Sequence, residues 1–381
     1  MIRHRSFLNA LASYIKRQNL MSAFISSLPL LLCQLFFFLI VTGTTGVRAQ
    51  DSQKVGKTDP SAVVYIYHRF GEGKYPTTNT TVEQLEAQIQ YLQNGGFHFL
   101  DYPTFKKHLQ SDTPFPRKSI LFTVDDGYES VYTTAWPRLK KAGIPLTLFI
   151  ATDPVDQKIP GYLSWDQIRT LHQEGVTIGH HTASHLHMVH AGKDAAEKDI
   201  DKASKRFQAE LGFIPRVFAY PYGEYSKEIE TMVATKGFDI AFGQHSGATG
   251  LFEQMHSLPR YAVNEKYGQM SRYRLISNSL ALPVSAVVPT DPYINDVSKN
   301  PPMIGFTLDK KLAPAKGLTC YPSHLGGKTA TLKRPIPNRI EVRFDQPLPT
   351  GRSRINCTLM GKEGRWYWFS RLFLVPGGPL D

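Results

Sequence analysis

Two adjacent carboxylates, Asp125 and Asp126, follow the apolar run Ser119 to Val124 and precede Gly127; His181 and His185 stand four residues apart after another apolar run, and His68 follows a third. Two imidazoles and one carboxylate suit a divalent cation such as zinc and leave positions for water and a substrate carbonyl. Asp126, His181 and His185 make that set. Asp125 is then free to take a proton from water, and a protonated His68 can give one to a departing amine. The carbonyl oxygen gains charge during attack, and the backbone N–H of Tyr222, in Pro221-Tyr222-Gly223, is the candidate donor to it. Each element alone has a bland reading: Asp-Asp-Gly as a turn, the histidines as a histidine-rich loop. Their joint occurrence at strand ends carries the argument. His187 and His190 are assigned to the loop. His180 is expected on the opposite side of its strand from His181, with replacement of His181 as a ligand the alternative. His245 is kept as a second-choice acid or substrate contact.

These residues need elements to bring them together. Ser61 to Tyr67 is a continuous β-branched and aromatic run that reads as a buried strand. Helix follows over Thr81 to Asn94, strand over Ser119 to Val124, helix over Glu129 to Lys141, and strand over Pro145 to Ala151. Ser164 and Gln167 form a capping box for a helix ending near Gly175, followed by the strand Val176 to His180. The charged helix Lys193 to Leu211, strand Arg216 to Tyr220, helix Ser226 to Lys236 and strand Phe238 to Gly243 continue the alternation. Strands alternating with helices imply a parallel sheet, so residues 62–285 are expected to form an α/β fold, a distorted (β/α) barrel, with a doubly wound open sheet as the alternative. Reactive groups then sit where the residues above fall, at the carboxyl ends of strands.

From about Pro283 prolines cluster, and the later segments are short, aromatic and alternating. Residues 286–300 are read as a linker and 301–381 as a small β-sandwich. The aromatic cluster Trp366 to Phe369 is read as core or inter-domain contact ahead of a sugar-stacking surface. At the other end, a basic leader runs into the apolar stretch Leu28 to Val41, about 14 residues against the roughly 20 that span a bilayer, so residues 1–49 read as a cleaved export signal and 50–61 as a linker. An uncleaved anchor is the alternative, and the only membrane contact expected. The formal net charge of +12 is spread rather than blocked, which argues against a nucleic-acid partner. Of the three cysteines, Cys33 lies in the signal; Cys320 and Cys357 are an even pair in an exported chain and are expected to form a disulfide.

Thr123-Val124-Asp125-Asp126-Gly127 with His181-Thr182-Ala183-Ser184-His185 resembles the first two motifs of the NodB-homology polysaccharide deacetylases. Tyr67-His68-Arg69-Phe70 and Phe218 to Gly223 are similar to the branch that includes biofilm poly-N-acetylglucosamine deacetylases. The resemblance implies Asp125 as base, Asp126, His181 and His185 as metal ligands, and His68 as acid. It also implies hydrolysis of N-acetyl groups on an N-acetylated polysaccharide or oligosaccharide. The family's third motif carries an arginine that steadies the base, and Ala219 stands in its position. Arg260, after a later predicted strand, is the candidate substitute, a purely structural arginine being the alternative. The resemblance covers roughly residues 60 to 280. The expectation is therefore an exported hydrolase of the periplasm or cell envelope, holding zinc, with cobalt, nickel or iron as alternatives. A glycan-binding or polysaccharide-assembly protein on the same fold is the second reading. The glycan and the oligomeric state stay open.

Overall fold

The computed structural model describes residues 57–378; the expected export signal, residues 1–49, lies outside them. The expected strands form as β1 (Ser61–Tyr67), β2 (Ser119–Val124), β3 (Leu146–Ile150), β4 (Thr177–His180), β5 (Val217–Ala219) and β6 (Ile240–Phe242). They pair in parallel in the order β6-β5-β4-β3-β2-β1. β7 (Ala248–Gly250) adds antiparallel to the start of β1. The other end of β1 pairs in parallel with β8 (Tyr261–Ala262) at Tyr65 and Ile66, while Leu258, just before β8, bridges Phe242 at the end of β6. Residues 258–262 thus curl the sheet round from β6 to β1, the distorted barrel arrangement.

The helices follow their local signals. α1 (Val82–Asn94) starts on Thr81, whose side chain accepts from the Gln84 N–H while the Gln84 side chain accepts from the Thr81 N–H. Its buried Leu85, Gln88, Ile89 and Leu92 repeat at helical spacing and face the strands. The capping box at Ser164 and Gln167 opens α4 (Trp165–Gln173), and α5 (Lys193–Leu211) and α6 (Lys227–Thr235) follow. The helix expected over Glu129 to Lys141 is broken. One wide π turn, Val131–Ala135, gives way to α3 (Trp136–Lys141) because Pro137 has no N–H to continue the ladder. A strand His98–Leu100 beside β2, α2 (Tyr102–Gln110) and α7 (Met270–Ser277) are elements the periodicity did not reveal. Residues 58–59, expected in a linker, pair with Phe115–Pro116.

The chain then builds two four-stranded sheets. One runs β9-β16-β15-β12, from β9 (Leu280–Ala281), β12 (Thr319–Pro322), β15 (Gly351–Met360) and β16 (Trp366–Val375). The other runs β10-β11-β14-β13, from β10 (Val284–Val288), β11 (Ile304–Leu308), β13 (Thr331–Lys333) and β14 (Arg339–Arg343). They share one apolar cluster, in which the Phe306 and Phe369 rings lie 5.0 Å apart. These sheets begin at Leu280, ahead of residue 301, because β10 sits at a sheet edge, where the flanking Pro283 and Pro289 are tolerated. Cys320 and Cys357 face each other across β12 and β15 in a disulfide. The described residues belong to one compact unit. Asp59 receives both Nη groups of Arg365 at 2.8 Å, and the Trp368 indole meets the Tyr261 ring edge to face at 5.4 Å.

Candidate active site

Asp125 ends β2. Its backbone N–H donates to the Tyr67 carbonyl at 2.9 Å, and its side chain is fully buried. The carboxylate accepts two parallel hydrogen bonds from Arg260, Nη1 to Oδ1 and Nη2 to Oδ2, each 2.7 Å. Arg260 is itself fully buried, donating through Nε to the Gly243 carbonyl at 3.0 Å and through Nη1 to Thr123 Oγ1 at 3.0 Å. Its position follows from the closing segment 258–262, which carries it into the barrel. Such a forked pair fixes both the orientation and the charge of the carboxylate.

Asp126 turns the other way. Its φ of 76° and the 83° of Gly127 reverse the chain, and a Cβ on Gly127 would stand 3.0 Å from Ile150 Cδ1. Asp126 Oδ1 lies 3.3 Å from Nε2 of both His181 and His185. One ligand atom from each residue falls within 4.8 Å of the others. Asp126 Oδ1 and His181 Nε2 are buried without a hydrogen-bond partner. His181 Nδ1 is 2.7 Å from the Ala219 carbonyl, so Nδ1 carries the proton and Nε2 presents its lone pair. Orphaned acceptor atoms converging from a carboxylate and two imidazoles are a donor set suited to a divalent cation. Without one, burial pushes the Asp126 pKa up but the two histidines hold it well below the carboxylate range. For His181, burial pushes down and Asp126 prevails upward.

The loop bearing the histidines is held from behind. Asp199 on α5 accepts the N–H groups of Ala183 and Ser184, both at 3.0 Å through Oδ2. Thr182 and His185 have φ of 64° and 57°, and Tyr222 has 57°, so left-handed backbone collects around the site with Asp126. His68 is half-buried and lines the same cleft as Asp126, His185 and Tyr222. Burial lowers its pKa, opposed by the charges of Asp126 and Asp125.

His180 takes the side of its strand that was expected. His180 points away, fully buried between Phe207, Phe218 and Phe238, with Nε2 3.2 Å from Ser204 Oγ; burial brings its pKa to about 3. His245 is buried, whereas its neighbours Gln244 and Ser246 line the cleft; burial, then Arg371, bring its pKa to about 3. His187, assigned to a bland loop, instead stacks on Tyr222 at 3.6 Å and 6°, with Nδ1 2.9 Å from Glu224 Oε2. Tyr222 in turn meets His185 edge-on at 4.4 Å. Tyr128 and Tyr162, rings 4.7 Å apart, form another wall that the sequence reading missed, because isolated tyrosines after strands carry no spacing signal.

Residues 112–241, which carry Asp125, Asp126, His181 and His185, match the polysaccharide deacetylase family. That stretch is thus similar to a polysaccharide deacetylase domain. YxkH of Bacillus subtilis, named a putative polysaccharide deacetylase, is 25% identical over 219 residues, covering 57% of this chain and 77% of the relative. The poly-beta-1,6-N-acetyl-D-glucosamine N-deacetylase of Staphylococcus epidermidis is 24% identical over 263 residues, covering 59% and 89%. Among solved structures, the Streptococcus pyogenes deacetylase PplD, in complex with acetate, superposes with a TM-score of 0.51 at 20% identity, covering 55% of this chain and 94% of that one. That likeness shows the shared fold.

Proposed function

We propose that this chain is an exported, metal-dependent hydrolase that removes N-acetyl groups from an N-acetylglucosamine-containing polysaccharide. The observation that carries the reading is the pairing of two carboxylates with different surroundings: Asp125 clamped by Arg260, Asp126 aimed with two histidines at one point. Asp126, His181 and His185 hold the cation, zinc by donor set, with cobalt, nickel or iron also accommodated. When bound it supplies a Lewis acid that polarises the acetamide carbonyl and acidifies water. Asp125 takes the proton from the attacking water, its orientation kept by Arg260. His68 gives a proton to the departing amine nitrogen. The Tyr222 backbone N–H donates to the carbonyl oxygen as it gains charge.

The relatives named for poly-N-acetylglucosamine deacetylation support that polymer as substrate. The Cys320–Cys357 disulfide supports an oxidising compartment, the periplasm or cell envelope. We read residues 62–285 as the barrel domain and the C-terminal sheets, nominally residues 301–381, as a sandwich. The test is acetate release from N-acetylglucosamine oligomers by the purified chain, metal-loaded and chelator-treated, beside Asp125→Asn. Release is expected to need metal and to fall at least ~100-fold in the variant. Metal bound with no release from any oligomer would turn the reading to a glycan-binding protein.

A further inference from the structure

The cleft does not end at the barrel. It encloses about 890 Å³, and its wall includes Ser323, Arg354, Asn356 and Trp368 from the C-terminal sheets along with His68, Asp126 and His185. At roughly 30 Å³ per water, that is room for about thirty waters.

The register of β15 explains the wall. Ser353, Ile355 and Cys357 are buried, so Arg352, Arg354 and Asn356 alternate onto the other face. That face looks at the barrel: Arg352 Nε is 3.7 Å from Glu224 Oε1, and its guanidinium lies 5.4 Å from the Tyr222 ring. Arg354 is different in kind. Its Nε is buried without a hydrogen-bond partner, and no carboxylate pairs with it among the described residues. Asn356 Oδ1 accepts from Trp368 Nε1 at 3.1 Å, which leaves the amide N–H groups as donors. Donors without acceptors, beside an indole in a cleft, call for a ligand rich in oxygen acceptors with an apolar face.

We propose that Arg354, Asn356 and Trp368 form a second sugar subsite, which receives the acetamide and hydroxyl oxygens of the unit flanking the one that loses its acetyl group. This rests on the deacetylase reading and deepens it. The C-terminal sheets then set the preference for polymer over monosaccharide, through binding rather than chemistry.

The experiment uses the purified chain as wild type, Arg354→Ala, Arg354→Lys and Asn356→Ala, each checked for unchanged melting temperature and metal content. Acetate release is measured on N-acetylglucosamine oligomers of increasing length. KM is expected to fall with length in the wild type, and the pentamer KM to rise about tenfold in Arg354→Ala and partly recover in Arg354→Lys, with kcat moving less than about twofold. An unchanged length dependence in Arg354→Ala and Asn356→Ala overturns the subsite. Calorimetric binding of the pentamer keeps the two readings apart. If the wild type releases no acetate but binds the pentamer, and Arg354→Ala weakens that binding, the subsite stands and the hydrolase falls; equal binding by both, or none by either, overturns the subsite.

Discussion

The bond between Arg260 and Asp125 joins residues 135 apart in sequence with both side chains fully buried. Removing one partner strands a charge in the interior. Arg260→Ala is therefore expected to lower stability by roughly 3–5 kcal/mol in denaturant titrations, and Arg260→Lys to lose the fork and much of the activity while keeping the charge. A loss of under 1 kcal/mol in the alanine variant would mean that water or another cation replaces the arginine. The same distance explains what could be read in advance. Asp125, Asp126, His181 and His185 lie in short motifs at strand ends, where local pattern is enough to nominate them. Arg260 could be named only as a candidate, since nothing near it in sequence says which carboxylate it meets. The contacts of His187 could not be read in advance, because its partners, Tyr222 and Glu224, come from another strand end.

At the scale of elements, the barrel strands and most helices were legible because apolar runs, capping boxes and glycine stops act locally. α7 was not, and the proline-containing α2 is short enough to pass for a loop. Nor was the service α5 performs, since Asp199 looks like any solvated charge on a charged helix. Its carboxylate anchors the turn between the two histidines. Asp199→Ala should weaken metal binding by about 10- to 100-fold, as loss of supporting contacts does at metal sites. Asp199→Asn, which keeps an accepting oxygen, should fall between. Competition against a chromophoric chelator reads the difference, and equal affinity in all three would show that the turn is held without α5.

For the whole molecule, the expected cysteine pairing and the change of pattern near Pro283 were legible from composition. The meeting of the C-terminal sheets with the cleft was not, because cross-chain contacts such as Asp59 with Arg365 leave no local trace. The disulfide ties β12 to β15, the strand whose other face lines the cleft. Replacing both Cys320 and Cys357 by Ser should cost about 2–4 kcal/mol, given their sequence separation of 37. Thermal unfolding of the double variant, compared with reduced wild type, checks this; equal melting of oxidised and reduced wild type would refute it.

Asp59, near the first described residue, is buried and paired with an arginine at the start of the final strand. The two halves are consequently not interchangeable cassettes. A recombination event that joined this barrel to a foreign accessory module would leave Asp59 facing no cation, Tyr261 stripped of its indole neighbour and the cleft open along one side. Lineages that carry this barrel should therefore inherit it with its sheets, and an arginine at position 365 should be lost only where Asp59 is lost with it.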